Sequence, residues 1–253
     1  MNDVEQVKPY NTGAAKTEQV RQMFDNIAPA YDFMNRAMTL GIDKWWRRVA
    51  VSIVKAAAPV NVLDVATGTG DFAIQLARAI PSVTVRGIDL SQGMLDVARK
   101  KIADASLNER VAVEQGDCLA LPYPDHSFDA VTVAFGVRNF EHLDKGYAEM
   151  ARVLRPGGLL CAVELSTPRN RVVKWLYDLY TLHLIPLAGS LRSGDRDAYR
   201  YLPQSIAAVP QGDDMLAIMR GEGFTATREK RMTFGTCTIY TANACDEASQ
   251  APQ

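Results

Sequence analysis

The residues best suited to chemistry follow short apolar runs. In Asp64-Val-Ala-Thr-Gly68-Thr69-Gly70-Asp71, two glycines one residue apart let the backbone take positive φ and come close to a ligand. Asp89, in Gly87-Ile-Asp-Leu-Ser91, can accept both hydroxyls of a ribose with one carboxylate, a charge-assisted bidentate arrangement. Asp117, in Gln115-Gly-Asp-Cys118, is placed to accept from an adenine amino group, with the backbone of Cys118 against the same ring. These types and spacings suggest a ligand that carries a nucleoside.

Two such ligands compete. Gly68-x-Gly70-x-x-Ala73, with Asp89 lying 19 residues beyond Gly70, satisfies the permissive dinucleotide fingerprint. A pyrophosphate, however, would sit on a helix N-terminus where Asp71 places a negative charge, opposing the attraction that phosphate binding uses. S-adenosylmethionine has no phosphate, and its ammonium and sulfonium are cations, so Asp64 and Asp71 suit it. The residues alone favour the methyl donor and leave the dinucleotide open.

A βα alternation that begins near residue 60 must position these groups. Asn61–Val65, Val83–Leu90, Val111–Glu114, Phe128–Phe135 and Leu159–Leu165 read as strands, nearly continuous in apolar residues. Asp71–Ile80, Gln92–Ala103 and His142–Leu154 have helical spacing. Ser91 is a natural N-cap for the second helix, and Arg155-Pro-Gly-Gly158 stops the third. The alternation predicts an α/β fold: a doubly wound, mostly parallel sheet covered on both faces, with a ligand outside the carboxyl ends of its strands. Thr225–Lys230 and Thr236–Thr241 can pair as an antiparallel hairpin at the sheet edge. The expected organisation is one domain over 17–245, with a helical N-terminal extension at 17–58 and a helical lid or insertion at 168–222. Disordered tails are expected at 1–16 and 246–253.

With 253 residues, 47% hydrophobic and 23% charged, the chain can bury a sizeable core. Its 28 Lys+Arg against 29 Asp+Glu leave a formal charge of −1, which gives no bulk attraction for nucleic acid or an anionic membrane. No apolar run reaches the roughly 18–20 residues needed to span a bilayer. Four cysteines without a CxxC pair and three histidines supply neither a disulfide framework nor a zinc ribbon. His126 is expected in a solvent-facing loop, His142 at a helix start and His183 in an apolar insertion, so no metal ligand is assigned. The polar Met1–Lys16 segment lacks a signal-peptide core, and a reducing, cytoplasmic setting is expected.

The runs LDVATGTGD, GIDLS, GDCLALPYPDHSFDAVTVAFGVRNF and RVLRPGGLLCAVELS resemble class I S-adenosylmethionine-dependent methyltransferases. More narrowly, the chain resembles the ubiquinone/menaquinone biosynthesis C-methyltransferases over about Glu18 to Ala242. Tyr31-Asp-Phe-Met-Asn35 with Thr39, Asp43 and Trp46 is similar to that family's N-terminal signature. Arg152-Val-Leu-Arg-Pro-Gly-Gly158, continuing to Glu164 and Ser166, is similar to its second. The departures are Thr39 for Ser, Asp43 for His, Arg155 for Lys and Ala66 for the first glycine of the turn.

The resemblance implies a Rossmann-like fold and a methyl transfer from S-adenosylmethionine to a ring carbon of a prenylated hydroquinone. The substrate expected is demethylmenaquinol, with the ubiquinone-series benzoquinol left open. Gly68, Thr69, Gly70, Asp89, Asp117, Cys118 and Ala134 are expected at the donor, and no metal is required. Ring carbon becomes nucleophilic when a neighbouring phenol loses its proton, which costs about 4 kcal/mol at pH 7 for a pKa near 10. By resemblance Arg138 and Asn139 line the substrate pocket. Arg138 can stabilise the phenolate or orient a water, Asn139 can bond a quinol oxygen, and Tyr31 is a second phenol contact. Val172–Ile185 reads as an amphipathic helix ended by Pro186 that, with Tyr31–Trp46, would form a slot for the isoprenoid tail and touch the membrane peripherally. Other readings are an O- or N-methyltransferase of the same fold and a silent protein that keeps the donor turn. A homodimer is also left open.

Overall fold

β1 (Asn61–Val65) is buried from its second residue onward, as befits a strand enclosed on both sides and both faces. The computed structural model describes residues 3–180 and 196–245. β1 lies at the centre of a sheet ordered β3-β2-β1-β4-β5-β7-β6. β2 (Thr84–Asp89), β3 (Val111–Gln115), β4 (Phe128–Ala134) and β5 (Leu154–Leu165) run parallel to it. β6 (Phe224–Met232) and β7 (Cys237–Ala244) form the expected antiparallel hairpin, with β7 against β5 and β6 at the edge. Strand β5 begins before Arg155-Pro-Gly-Gly158 rather than after it, and its pairing with β4 shifts register there.

Alternate side chains feed two cores. Val62, Val85, Ala130, Val163 and Ile239 pack against α3 (Asp43–Ala56), α4 (Asp71–Ala79) and α5 (Gln92–Asp104). Leu63, Val131, Leu160 and Tyr240 pack against α6 (Leu143–Val153) and α9 (Asp213–Gly221). The sheet is therefore doubly wound, and its strand order reverses direction between β1 and β4. A crevice opens at that switch point, outside the strands' carboxyl ends.

Helices supply the rest. α2 (Lys16–Met38) runs along α5: Asp25 accepts from the Ser91 hydroxyl (2.6 Å) and Gly93 N–H (3.0 Å), and Asp32 accepts from Lys101 (2.7 Å). α7 (Arg171–Leu179) and α8 (Arg196–Ala208) follow β5. Among the described residues no helix is long and apolar enough to cross a membrane.

The structure departs from the sequence expectation at two boundaries. Residues 3–16 are docked rather than frayed: α1 (Asp3–Gln6) buries Val4, and the Glu5 carboxylate accepts from Leu143 N–H (3.1 Å). Lys16 is fully buried, with its ammonium donating to the carbonyls of Val4 (2.6 Å) and Arg138 (3.2 Å). Polar composition concealed this because the segment is held by a few scattered apolar residues, Val4, Val7, Pro9 and Tyr10, and by satisfied polar groups, with no periodicity. The expected insertion at 168–222 is also shorter, because Met215 and Met219 of α9 belong to the core against Tyr147 and Phe224. His183, Ile185, Pro186 and the tail at 246–253 lie outside the described residues.

Candidate active site

The crevice begins where β1 ends. Ala66, Gly68 and Gly70 have φ of 50, 57 and 76°, so the chain turns through left-handed backbone into α4. A Cβ at Gly68 would meet nothing within 4 Å, whereas one at Gly70 would lie 3.2 Å from the Cβ of Ala98. Gly70 thus permits close packing of α4 on α5, and Gly68 leaves open space for a ligand. Ala66 holds the same backbone against its intrinsic preference, which costs an L-residue about 1–2 kcal/mol. Replacing Ala66 with Gly should stabilise the fold by about 1 kcal/mol, read as a higher midpoint in thermal denaturation.

Not every acid of the turn faces this space. Asp64 is buried beneath it and accepts from the Thr67 (2.6 Å) and Thr132 (2.7 Å) hydroxyls. Burial pushes its carboxyl up to about 6 against those two hydrogen bonds. Asp71 is paired with Lys101, which also donates to Asp32 (2.7 Å) and Thr69 (3.1 Å). The Thr69 hydroxyl in turn donates to Asp32 (2.6 Å). Asp64 and Asp71 therefore shape the turn and fasten α2 over it rather than offering charge to a ligand. Lys101→Met would leave Asp32 and Asp71 facing each other without a cation. With these carboxylates one quarter exposed, the expected loss is about 1–3 kcal/mol, seen as a lower denaturation midpoint with a raised donor KM.

The cavity itself is lined by Gly68, Asp89, Asp117, Cys118, Ala134 and Asn139, with Thr17, Val20, Phe24 and Tyr31 as its roof. Its lining carries three carboxylates, Asp89, Asp117 and Glu141, and among the described residues no lysine or arginine. Asp89 accepts from Gly68 N–H (2.8 Å) and Ser91 N–H (2.9 Å), leaving further lone pairs on both oxygens. Burial pushes its carboxyl up to about 6, partly offset by those bonds. Asp117 accepts from Leu119 N–H (2.9 Å). Burial, with Asp117 and Asp89 nearby, pushes the Cys118 thiol well up, so it stays protonated and apolar at neutral pH.

Ala134 ends β4, and Phe135 follows at φ 62°. Phe135 also lines a second, apolar cavity with Met38, Leu40, Trp46, Arg47, Arg138, Tyr177 and Leu202. A third, smaller space links the two along Met23, Met34, Met38, Tyr31 and Arg138. Flexible methionines suit an adaptable apolar channel. At the junction, buried Arg138 is held by Glu164 (2.9 Å) and by the Phe135 carbonyl, and its Nε has no partner. Asn139 accepts from the Tyr201 hydroxyl (3.2 Å) and donates to the Phe135 carbonyl (3.4 Å). Tyr31 stands edge-on to Phe24 with centroids 5.9 Å apart. Burial raises its phenol, against the pull of Arg138 and a hydrogen bond from Asn35, so it remains a donor rather than a base.

Sequence reasoning missed several of these groups. Arg47 is buried, paired with Asp43 one turn earlier and set 5.0 Å over the Phe135 ring, with its Nε also unpartnered. The Thr39 hydroxyl donates to Asp43 (2.8 Å), so Thr39, Asp43 and Arg47 act as one unit. The i, i+4 spacing of Thr39, Asp43 and Arg47, the first two of them in the N-terminal signature, was the available signal. Tyr177 and Tyr201 gave no signal of their own, and Glu164 stood in the second signature without a role until its pairing with Arg138 appeared. His126 is exposed in its loop, with Nδ1 2.9 Å from the Leu154 carbonyl. His142 stands at the start of α6, where Glu5, His142 and Asp144 bring ligand-type atoms within 4.8 Å of one another. None of these three lines the donor cavity.

The profile of the ubiE/COQ5 methyltransferase family matches residues 12–244. The chain belongs to that family. It is 48% identical to a demethylmenaquinone methyltransferase of Bacteroides fragilis, across 94% of this chain and 97% of the relative. It is 45% identical to a ubiquinone/menaquinone biosynthesis C-methyltransferase of Geobacter sulfurreducens, across 89% and 88%. Among solved structures, the [4+2]-cyclase SpnF superposes with a TM-score of 0.67 at 18% identity, covering 90% of this chain and 96% of that one. A putative S-adenosylmethionine-dependent methyltransferase from Methanococcus maripaludis gives 0.62 at 20% identity, covering 88% and 95%. These likenesses concern the fold. Family membership makes this chain a methyltransferase whose donor is S-adenosylmethionine, and the open space at Gly68 and the acid-only lining fit that cation.

Proposed function

We propose that this enzyme methylates a ring carbon of demethylmenaquinol, giving menaquinol. The observation that carries the reading is that two unlike cavities, one whose charged lining is carboxylate alone and one apolar, share Phe135 in their walls, with Arg138 lining the second. Gly68, Asp89, Asp117, Cys118 and Ala134 would hold S-adenosylmethionine, which supplies an electrophilic methyl on a positively charged sulfur, while Thr69 and Gly70 shape the turn from outside the cavity lining. Asp89 takes the ribose hydroxyls, and Asp117 the adenine amine.

The apolar side orients the quinol and excludes water, so proximity can supply up to roughly 7–11 kcal/mol of the barrier. Arg138 Nε, unpartnered in the structure, gains a partner in the quinol oxygen and stabilises it as a phenolate. Glu164 positions that guanidinium and moderates its charge. Tyr31 donates a second hydrogen bond, and Asn139 fixes the turn through Phe135 and Tyr201. The three methionines and Leu202 receive the prenyl tail, which draws the enzyme to the membrane surface where such a tail resides.

The 45% identity to a relative named for both quinone series supports a second reading, methylation of the polyprenyl benzoquinol. Mass spectrometry of each quinol, incubated with enzyme and donor, tests both. A mass gain of one methylene on a ring carbon of the naphthoquinol is expected; a methylated oxygen, or the benzoquinol alone reacting, would overturn the first reading.

A further inference from the structure

The rim of the second cavity is built from three segments that the fold brings together. The Tyr180 hydroxyl, just past α7, donates to the Met38 carbonyl (3.0 Å) at the end of α2. Trp46 of α3 donates to the Thr233 hydroxyl (2.7 Å) at the tip of the β6–β7 hairpin. Around that rim stand large apolar side chains in solvent: Leu40 is 77% exposed, Phe234 83%, Trp175 64%, with Trp45, Leu176 and Leu179 about half exposed. Soluble proteins rarely expose so many large apolar side chains around one cavity mouth without a partner for them. Thr233 and Phe234 have φ of 44 and 56°, a backbone that a β-branched and an aromatic residue adopt only at a cost. That backbone carries the Phe234 ring at the tip of the hairpin, outside the cavity lining.

Charge close to these side chains in the chain identifies the partner. Arg36, Lys44 and Arg48, exposed within four residues of Leu40 or Trp45, share a separate groove with Lys55, Arg78 and Asp71, whose carboxylate is paired with Lys101, and Arg171 is exposed at the start of α7. The nearby acids Asp43 and Asp178 are paired with Arg47 and Lys174. Apolar and aromatic side chains ringed by cations match an anionic bilayer, with rings at the acyl boundary and cations at the phosphates. A second copy of the chain would fit poorly, because an isologous contact sets the same cations against each other.

We infer that the enzyme docks on an anionic lipid surface through the α2–α3 turn, the β6–β7 tip and α7, with the second cavity opening directly into the bilayer. This rests on the reading that the substrate carries a polyprenyl tail, which can then enter sideways without crossing water.

Flotation of the full chain with vesicles of equal parts phosphatidylglycerol and phosphatidylcholine tests it, alongside turnover of a quinol lacking the tail. Phe234→Asn with Trp175→Ser touches neither cavity lining, and Asn tolerates the left-handed backbone. Vesicle binding should fall at least tenfold, and turnover on vesicle-held prenylated quinol with it, while turnover of the tailless quinol stays at wild type. Adding salt, or using phosphatidylcholine alone, should weaken wild-type binding. Absent wild-type binding, equal binding by the variant, or a dimer that the variant dissociates would each overturn the inference. A wild-type enzyme that binds vesicles but leaves both quinols unmethylated would instead overturn the substrate reading.

Discussion

Replacing Asp89 with Asn should weaken S-adenosylmethionine binding about a hundredfold and remove most of its pH dependence. Each hydrogen bond to a charged acceptor contributes about 1.5–3 kcal/mol, and the neutral amide offers one oxygen where the carboxylate offers two. Losing roughly 3 kcal/mol corresponds to about two powers of ten. The pH effect follows from the raised carboxyl, pushed up to about 6 by burial. The ribose hydroxyls and the cationic sulfur require the ionised form. Wild-type affinity should thus be constant above pH 7 and fall as pH drops through about 6, approaching tenfold per unit.

Stability moves the other way. Asp64 and Asp89 both have folded-state values raised above the ordinary 3.8, each to about 6. Their contribution to stability is complete below about 4 and is lost as pH rises through about 6. Donor titrations of wild type and Asp89→Asn across this range decide the matter: a persisting slope in the variant would assign it to another group.

The second large effect concerns Arg138. Arg138→Ala should abolish detectable methyl transfer, but it also strands buried Glu164, at a cost of about 3–5 kcal/mol. A collapse in that variant alone is therefore ambiguous. Arg138→Lys keeps a cation for Glu164 while removing the Nε donor. It should fold with near-wild-type donor affinity and lose about 10²–10³ in kcat, the usual loss for one preorganised donor at a developing oxyanion. Arg138→Met with Glu164→Gln, which removes both charges while keeping an acceptor for the Arg138 N–H, should recover stability without recovering activity. If Arg138→Lys keeps full kcat, the guanidinium serves packing alone.

Most of the fold was legible in the sequence because strand burial and helix amphipathicity are local patterns. β1 follows its predicted bounds, and Ser91 caps α5 by accepting from Met94 N–H. Sequence could also bring Gly68, Asp89, Asp117, Cys118 and Ala134 to one crevice, since each ends or closely follows a strand of a doubly wound sheet. It could not tell which acids face the ligand. Asp64 and Asp71 looked like cofactor-facing charge until Thr132 and Lys101 appeared as their partners from distant elements. The same holds for Arg138, whose neutralisation by Glu164 is a tertiary contact across 26 residues. The order of residues 3–16 depends on Lys16 being satisfied by the carbonyl of Val4 within the segment and that of Arg138 far away in the chain, which no periodic pattern announces.

Calorimetric titration of one enzyme sample at pH 7 with S-adenosylmethionine and, separately, with NAD bears most directly on the whole reading. Three carboxylates and, among the described residues, no lysine or arginine in the lining of the crevice predict saturable heat with the sulfonium compound and none with the dinucleotide at the same concentration. Saturable NAD binding that S-adenosylmethionine fails to displace would contradict it.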